Sequence, residues 1–106
     1  MNLGTQDVGI SITAAGTTQA TAKLLINGVN TVTTVASGAG VVLFPPSGPG
    51  VFQLVYNGGA NALKVYPSLG YQINALGANN AMVLATGTAV EFWVVSDSQV
   101  VAFLSA

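Results

Sequence analysis

Ala89-Val90-Glu91-Phe92-Trp93-Val94-Val95, then Ser96-Asp97-Ser98, then Gln99-Val100-Val101-Ala102-Phe103-Leu104, is the stretch that decides the fold class. Two apolar runs flank three turn residues. Side chains alternate between faces along a strand. Val90, Phe92 and Val94 therefore share one face, and Glu91, Trp93 and Val95 the other. A carboxylate belongs outside the core, so Trp93 and Val95 go outward with Glu91. In the second run Val100, Ala102 and Leu104 share one face, and Gln99, Val101 and Phe103 the other. A three-residue loop sets Trp93 opposite Val101 and Glu91 opposite Phe103, an outward apolar strip. A two-residue loop would slip the register.

The same period of two runs through the chain. Val8, Ile10 and Ile12 alternate with Gly9, Ser11 and Thr13, the pattern of a half-buried strand. Strands are expected near 8–14, 20–26, 30–36, 40–44, 51–56, 62–66, 71–74, 81–85, 89–95 and 99–104. Turn-forming residues separate them: Asn27-Gly28, Ser37-Gly38, Asn57-Gly58-Gly59, Pro67-Ser68-Leu69-Gly70, Gly77-Ala78-Asn79-Asn80 and Thr86-Gly87. The segment Pro45-Pro46-Ser47-Gly48-Pro49-Gly50 is too short for a domain linker and is expected to carry the chain from one sheet to the other. No window shows a capped amphipathic helix. Short strands with turns every eight to twelve residues predict an all-β, antiparallel β-sandwich or jelly-roll-like domain of about 8–10 strands. That single domain is expected over 8–106, preceded by an N-terminal arm over 1–7. Asn27 to Asn30 and Asn57 to Asn61 echo each other, but common turn residues do not make a repeat.

Charge is the second constraint. Asp7, Lys23, Lys64, Glu91 and Asp97 are the only charged residues among 106, or 5%, where soluble domains carry roughly 25%. So few charges cover a monomer of this size poorly. Either both sheet faces are covered within the monomer, or one face is an interface in an oligomer; the shortage of charge favours the interface. Its candidate residues are Lys64, Tyr66, Tyr71, Glu91, Trp93, Val101 and Phe103, since buried aromatic residues often anchor such contacts.

The composition also excludes chemistry. Without histidine or cysteine, His/Cys zinc sites, disulfides and Ser-His-Asp or Cys-His arrangements cannot be built. Two lysines and no clustered basic residues argue against nucleic acid and anionic membranes. No apolar run approaches the roughly 20 residues of a membrane helix. The first twenty residues hold no Lys or Arg, so no secretory leader is expected. Glu91 and Asp97 lie six residues apart, about 20 Å along a strand, too far for the paired carboxylates of a glycosidase. Asp7 with Asn2 offers too few oxygens for calcium. Gly38-Ala39-Gly40 lacks the third glycine and the following helix of a dinucleotide site. No enzyme, metal or cofactor is expected.

One pattern carries a resemblance. It runs from Asn30-Thr31-Val32-Thr33-Thr34-Val35 to Val41-Val42-Leu43. It continues through Val55-Tyr56-Asn57-Gly58-Gly59-Ala60-Asn61-Ala62-Leu63-Lys64-Val65-Tyr66-Pro67 and Gln72-Ile73-Asn74. The Gly87 turn, Phe92-Trp93-Val94-Val95-Ser96 and Gln99 close it. Over residues 30 to 102 the chain resembles small β-rich virion proteins of tailed bacteriophages. Val100 departs from the aromatic that often follows the terminal Gln in that group. The resemblance implies a capsid decoration (cement) protein, bound as a homotrimer to the major capsid protein on the outer head surface. Such a protein is made in the host cytoplasm. The alternative it implies is a receptor- or carbohydrate-binding module of a head or tail fibre, with Tyr66 beside Lys64, or Tyr71 beside Gln72, as the sugar-stacking aromatic.

Overall fold

The computed structural model describes residues 7–104. Among them the chain forms ten strands and no helix: β1 (Val8–Thr13), β2 (Lys23–Leu24), β3 (Val29–Thr34), β4 (Gly40–Val42), β5 (Phe52–Asn57), β6 (Leu63–Tyr66), β7 (Gln72–Ile73), β8 (Met82–Leu84), β9 (Ala89–Val94) and β10 (Gln99–Leu104). The all-β class and the strand positions follow the alternation in the sequence. The expected arm over 1–7 lies outside the described residues except for Asp7, whose carbonyl accepts the amide of Val29 at 3.0 Å.

The strands make a six-stranded sheet, β1-β3-β5-β9-β10-β7, and a four-stranded sheet, β2-β4-β6-β8. From β1 to β9 every connection crosses to the other sheet, including the one through Pro45 to Gly50. Only β9 and β10 form a hairpin within one sheet. This corrects the expectation of an antiparallel sandwich or jelly roll. β1 with β3, β3 with β5, β2 with β4, β4 with β6, and β7 with β10 pair in parallel. β5 with β9, β9 with β10, and β6 with β8 are antiparallel. The physical reason lies in the corners. From β1 to β6 each turn sends the chain across to the opposite layer and the next brings it back in its original direction. Strands two apart in sequence therefore stack side by side, as in a solenoid. Gly38 (φ 81°) and Gly87 (φ 80°) take two of these corners in the left-handed region, which costs other residues about 1–2 kcal/mol.

The core lies between the sheets. Val32, Val55, Val90 and Phe92 enter it from the six-stranded sheet, and Val41, Leu63, Val65 and Leu84 from the four-stranded one, all at most 1% exposed. Buried amides tie the layers where strands give way to corners. Gln53 Nε2 donates to the carbonyls of Leu25 and Asn27 at 3.1 and 2.9 Å, while its Oε1 accepts from the Phe44 amide at 2.9 Å. Asn57 Nδ2 donates to the carbonyls of Asn61 and Leu84 at 3.0 and 2.9 Å, and its Oδ1 accepts from the Gly59 amide at 3.0 Å. Satisfied in this way, a polar group fixes register without the cost of an orphan.

The two ends of the stack differ. The last parallel coil, β5 with β6, is closed by antiparallel β9 and β8. The first coil, β1 with β2, is an edge in both sheets. A cleft there is lined by Gly9, Ile12, Lys23 and Leu25, with Ile10 and Ile26 exposed on its rim. A bulge blunts the β1 edge: the register shifts between Gly9 and Ile12, around Ser11 at φ 56°.

Candidate functional site

The hairpin β9–β10 builds the site, and its register is the one a three-residue loop predicts. Trp93 pairs with Val101 and Glu91 with Phe103. Val90, Phe92 and Val94 are buried while Ala89, Glu91 and Trp93 are half-exposed. The strip extends across β5, where Phe52 pairs with Trp93 and Leu54 with Glu91. It continues onto β3 and β1, where Val29 pairs with Leu54 and Val8 with Val29. Two rows result, Phe52–Trp93–Val101 and Val8–Val29–Leu54–Glu91–Phe103. A third row, Thr31–Tyr56–Ala89, flanks them.

The face is apolar and bare. Phe103 is 58% exposed and Val8 56%. The rings of Phe52 and Trp93 stack with centroids 4.8 Å apart and planes 17° from parallel. Such pairs add about 0.5–1.5 kcal/mol beyond burial. Glu91 is the one charged side chain in these rows. Trp93 Nε1 donates to its Oε1 at 2.6 Å, a short bond of the charge-assisted kind. No ion pair reaches Glu91 among the described residues. Glu91, Trp93, Val95, Val101 and Phe103 line a shallow, open trough, whereas small-molecule sites are deeply concave.

The other sequence-derived candidates lie elsewhere. Lys64 and Tyr66 are on β6, in the four-stranded sheet. Tyr66 is only 8% exposed, and its hydroxyl donates to the Thr17 carbonyl at 2.9 Å. The segment around Thr17 runs beside this sheet: Ala15 bridges Gly40, and Gln19 Nε2 donates to the Pro67 carbonyl at 2.9 Å, while Leu24 and Val83 stay exposed. Tyr71 precedes β7, half-buried against the core. The seven candidates thus divide into a cluster of four on the six-stranded sheet and three placed apart from it. Sequence reasoning missed Phe52 and Leu54. Their signal was present in the alternation Phe52, Leu54, Tyr56, but nothing local announces that β5 lies beside β9.

Among the described residues no three His, Cys, Asp or Glu side chains gather as a metal site, and no helix is long and apolar enough to cross a membrane. Comparison with known proteins finds no match among family models, curated proteins or solved structures.

Proposed function

We propose that the outer face of the six-stranded sheet is an interface between copies of this chain. In this reading the assembly is a structural virion protein: a bacteriophage capsid decoration (cement) protein that sits as a homotrimer on the outer head surface, grips the major capsid protein and stabilises the shell. The observation that carries the self-interface is the bare face itself, two apolar rows interrupted by one carboxylate. Closed cyclic symmetry is the common outcome for such a surface. The virion assignment rests on the resemblance over residues 30 to 102. Its role needs a rigid β-module and no active site.

Light scattering behind size exclusion at low micromolar concentration tests the interface. The expected species has three times the 10.6 kDa chain mass, and Phe103→Lys is expected to give a folded monomer. That variant sets an ammonium opposite Glu91, a favourable cross-strand pair, so loss of assembly with retained folding reports on the face. A wild-type monomer overturns the self-interface. Co-sedimentation with phage heads stripped of their outer proteins tests the capsid role.

One observation favours a second reading, a receptor- or carbohydrate-binding module of a phage fibre. The aromatic pair Phe52–Trp93 lies beside the Glu91 carboxylate, a ring to stack on a sugar and an acceptor for its hydroxyls. Tyr66 and Tyr71, buried or half-buried, are poorer platforms. Glycan-array binding by a monomer, lost in Trp93→Ala, would favour this reading over the first.

A further inference from the structure

The chain holds two Asn-Gly pairs, Asn27-Gly28 and Asn57-Gly58, and their surroundings are opposite. A glycine after asparagine sets no Cβ beside the peptide nitrogen, which leaves that nitrogen free to approach the amide carbon of the asparagine side chain. Asn57 is fully buried and its side-chain amide is committed to three hydrogen bonds. The Gly58 N–H is committed too, donating to the Val32 carbonyl at 2.8 Å. Asn27 and Gly28 lie half-exposed in the bend between β2 and β3. Among the described residues neither the Asn27 side chain nor the Gly28 N–H has a hydrogen-bond partner. We infer that the folded protein deamidates spontaneously at Asn27 and not at Asn57.

Exposure is half of the argument, and the main-chain carbonyl of Asn27 is the other half. It accepts from Asn30 Nδ2 at 2.8 Å and from Gln53 Nε2 at 2.9 Å. This carbonyl is conjugated with the Gly28 nitrogen. When hydroxide takes the Gly28 amide proton, negative charge spreads onto the carbonyl oxygen, where both donors already point. Donors fixed at a developing charge favour the charged form and lower the barrier. The electron pair of the Gly28 nitrogen then forms a bond to Asn27 Cγ. The Cγ–Nδ2 bond breaks, and ammonia leaves with a proton from water. Water opens the cyclic imide at either carbonyl, which gives aspartate or isoaspartate. Solvent water and hydroxide are the co-reactants. The product carries a new carboxylate in a chain with only five charged residues, in the cleft that Gly9 and Lys23 also line. The amide it replaces packs on β1, since a Cβ built on Gly9 would lie 2.3 Å from Asn27 Nδ2. Isoaspartate also adds a methylene to the main chain between β2 and β3, which moves the carbonyl away from Asn30 and Gln53. The age of a molecule is thus recorded at the first coil.

The test is peptide mapping by mass spectrometry of the full chain aged in mild alkali, once folded and once unfolded in urea. Digestion at Lys23 and Lys64 leaves both Asn-Gly pairs in one peptide, and fragmentation of that peptide separates them. In the folded chain the exchange of NH2 for OH is expected at residue 27 alone. Its rate should be no lower than that of the same residue in urea, because the two donors on the carbonyl act only in the fold. In urea both pairs are expected to convert. Asn27→Gln, whose amide must close a larger ring, should lose the conversion at residue 27 and leave Asn57 intact while folded. An Asn27 that stays unmodified in the folded chain, or converts more slowly there than in urea, overturns the inference. So does a folded Asn57 that converts as fast as Asn27.

Discussion

Asn57 shows how much one side chain can hold in this molecule. It is fully buried and makes three hydrogen bonds, to the Asn61 and Leu84 carbonyls and from the Gly59 amide. Truncation strands two carbonyls and an amide, each costing up to about 1–3 kcal/mol when left dry. Asn57→Ala is expected to lower stability by about 3 kcal/mol or more, read from urea unfolding. Two glycines make a contrast. A Cβ on Gly59 would lie 2.6 Å from Val35 Cγ2 and 2.9 Å from its backbone nitrogen, so Gly59→Ala must shift main chain and should cost about 1–3 kcal/mol. A Cβ on Gly48 meets nothing within 4 Å. Gly48→Ala should be neutral or stabilise by up to about 1 kcal/mol, by restricting the unfolded chain. Equal thermal shifts for the two variants would contradict the packing at Gly59.

Among the elements, β7 is lightly held: like β2, it is two residues long and has one neighbour. Its two residues pair only with β10, at Gln72 with Gln99 and Ile73 with Val100. Side-chain amides reinforce that ladder: Gln72 Nε2 donates to Gln99 Oε1 at 2.8 Å, and Gln99 Nε2 to the Asn74 carbonyl at 2.7 Å. Gln99→Ala should therefore loosen this edge locally. The Gln72 and Asn74 amides, which donate to the Ser98 and Val100 carbonyls, are expected to exchange hydrogen faster, while global stability falls by only about 1 kcal/mol. Uniform acceleration across β5 and β9 as well would show that β7 unfolds with the whole. The contrast between β7 and the β9–β10 hairpin also explains what could be read from sequence. Hairpin register depends on three loop residues and a period of two, both local, so Trp93 opposite Val101 and Glu91 opposite Phe103 were legible. Parallel stacking depends on the direction in which each corner leaves its sheet. Alternation of Val and Thr carries no record of that, and the antiparallel expectation failed there. The site divided along the same line. Glu91, Trp93, Val101 and Phe103 come from one hairpin, whereas Phe52 and Leu54 arrive from a distant strand and Tyr66 is buried, its hydroxyl donating to the Thr17 carbonyl.

For the molecule as a whole, most strand pairs join segments far apart in sequence, and only β9–β10 closes locally. Loop-closure entropy must be met before those contacts reward it, so refolding is expected on the millisecond-to-second scale typical of such topologies. Trp93 is the single tryptophan and lies in the bare face, so one probe reports both folding and assembly. Its emission should move to the blue as concentration rises through the association range, and Phe103→Lys should abolish that shift. An emission maximum independent of concentration, together with a rising mass, would place the interface on another surface. The stack also has a direction of growth. Antiparallel strands seal it behind the third coil, while the first coil still offers a parallel edge in both layers. Tandem duplication of residues 8–28 would thread one more rung onto that edge, lengthening the particle by about one strand spacing, 4.8 Å, measurable by small-angle scattering. A rung inserted beyond β6 would have to break existing pairs. Among the described residues, the first coil is where a rung adds without parting an existing pair.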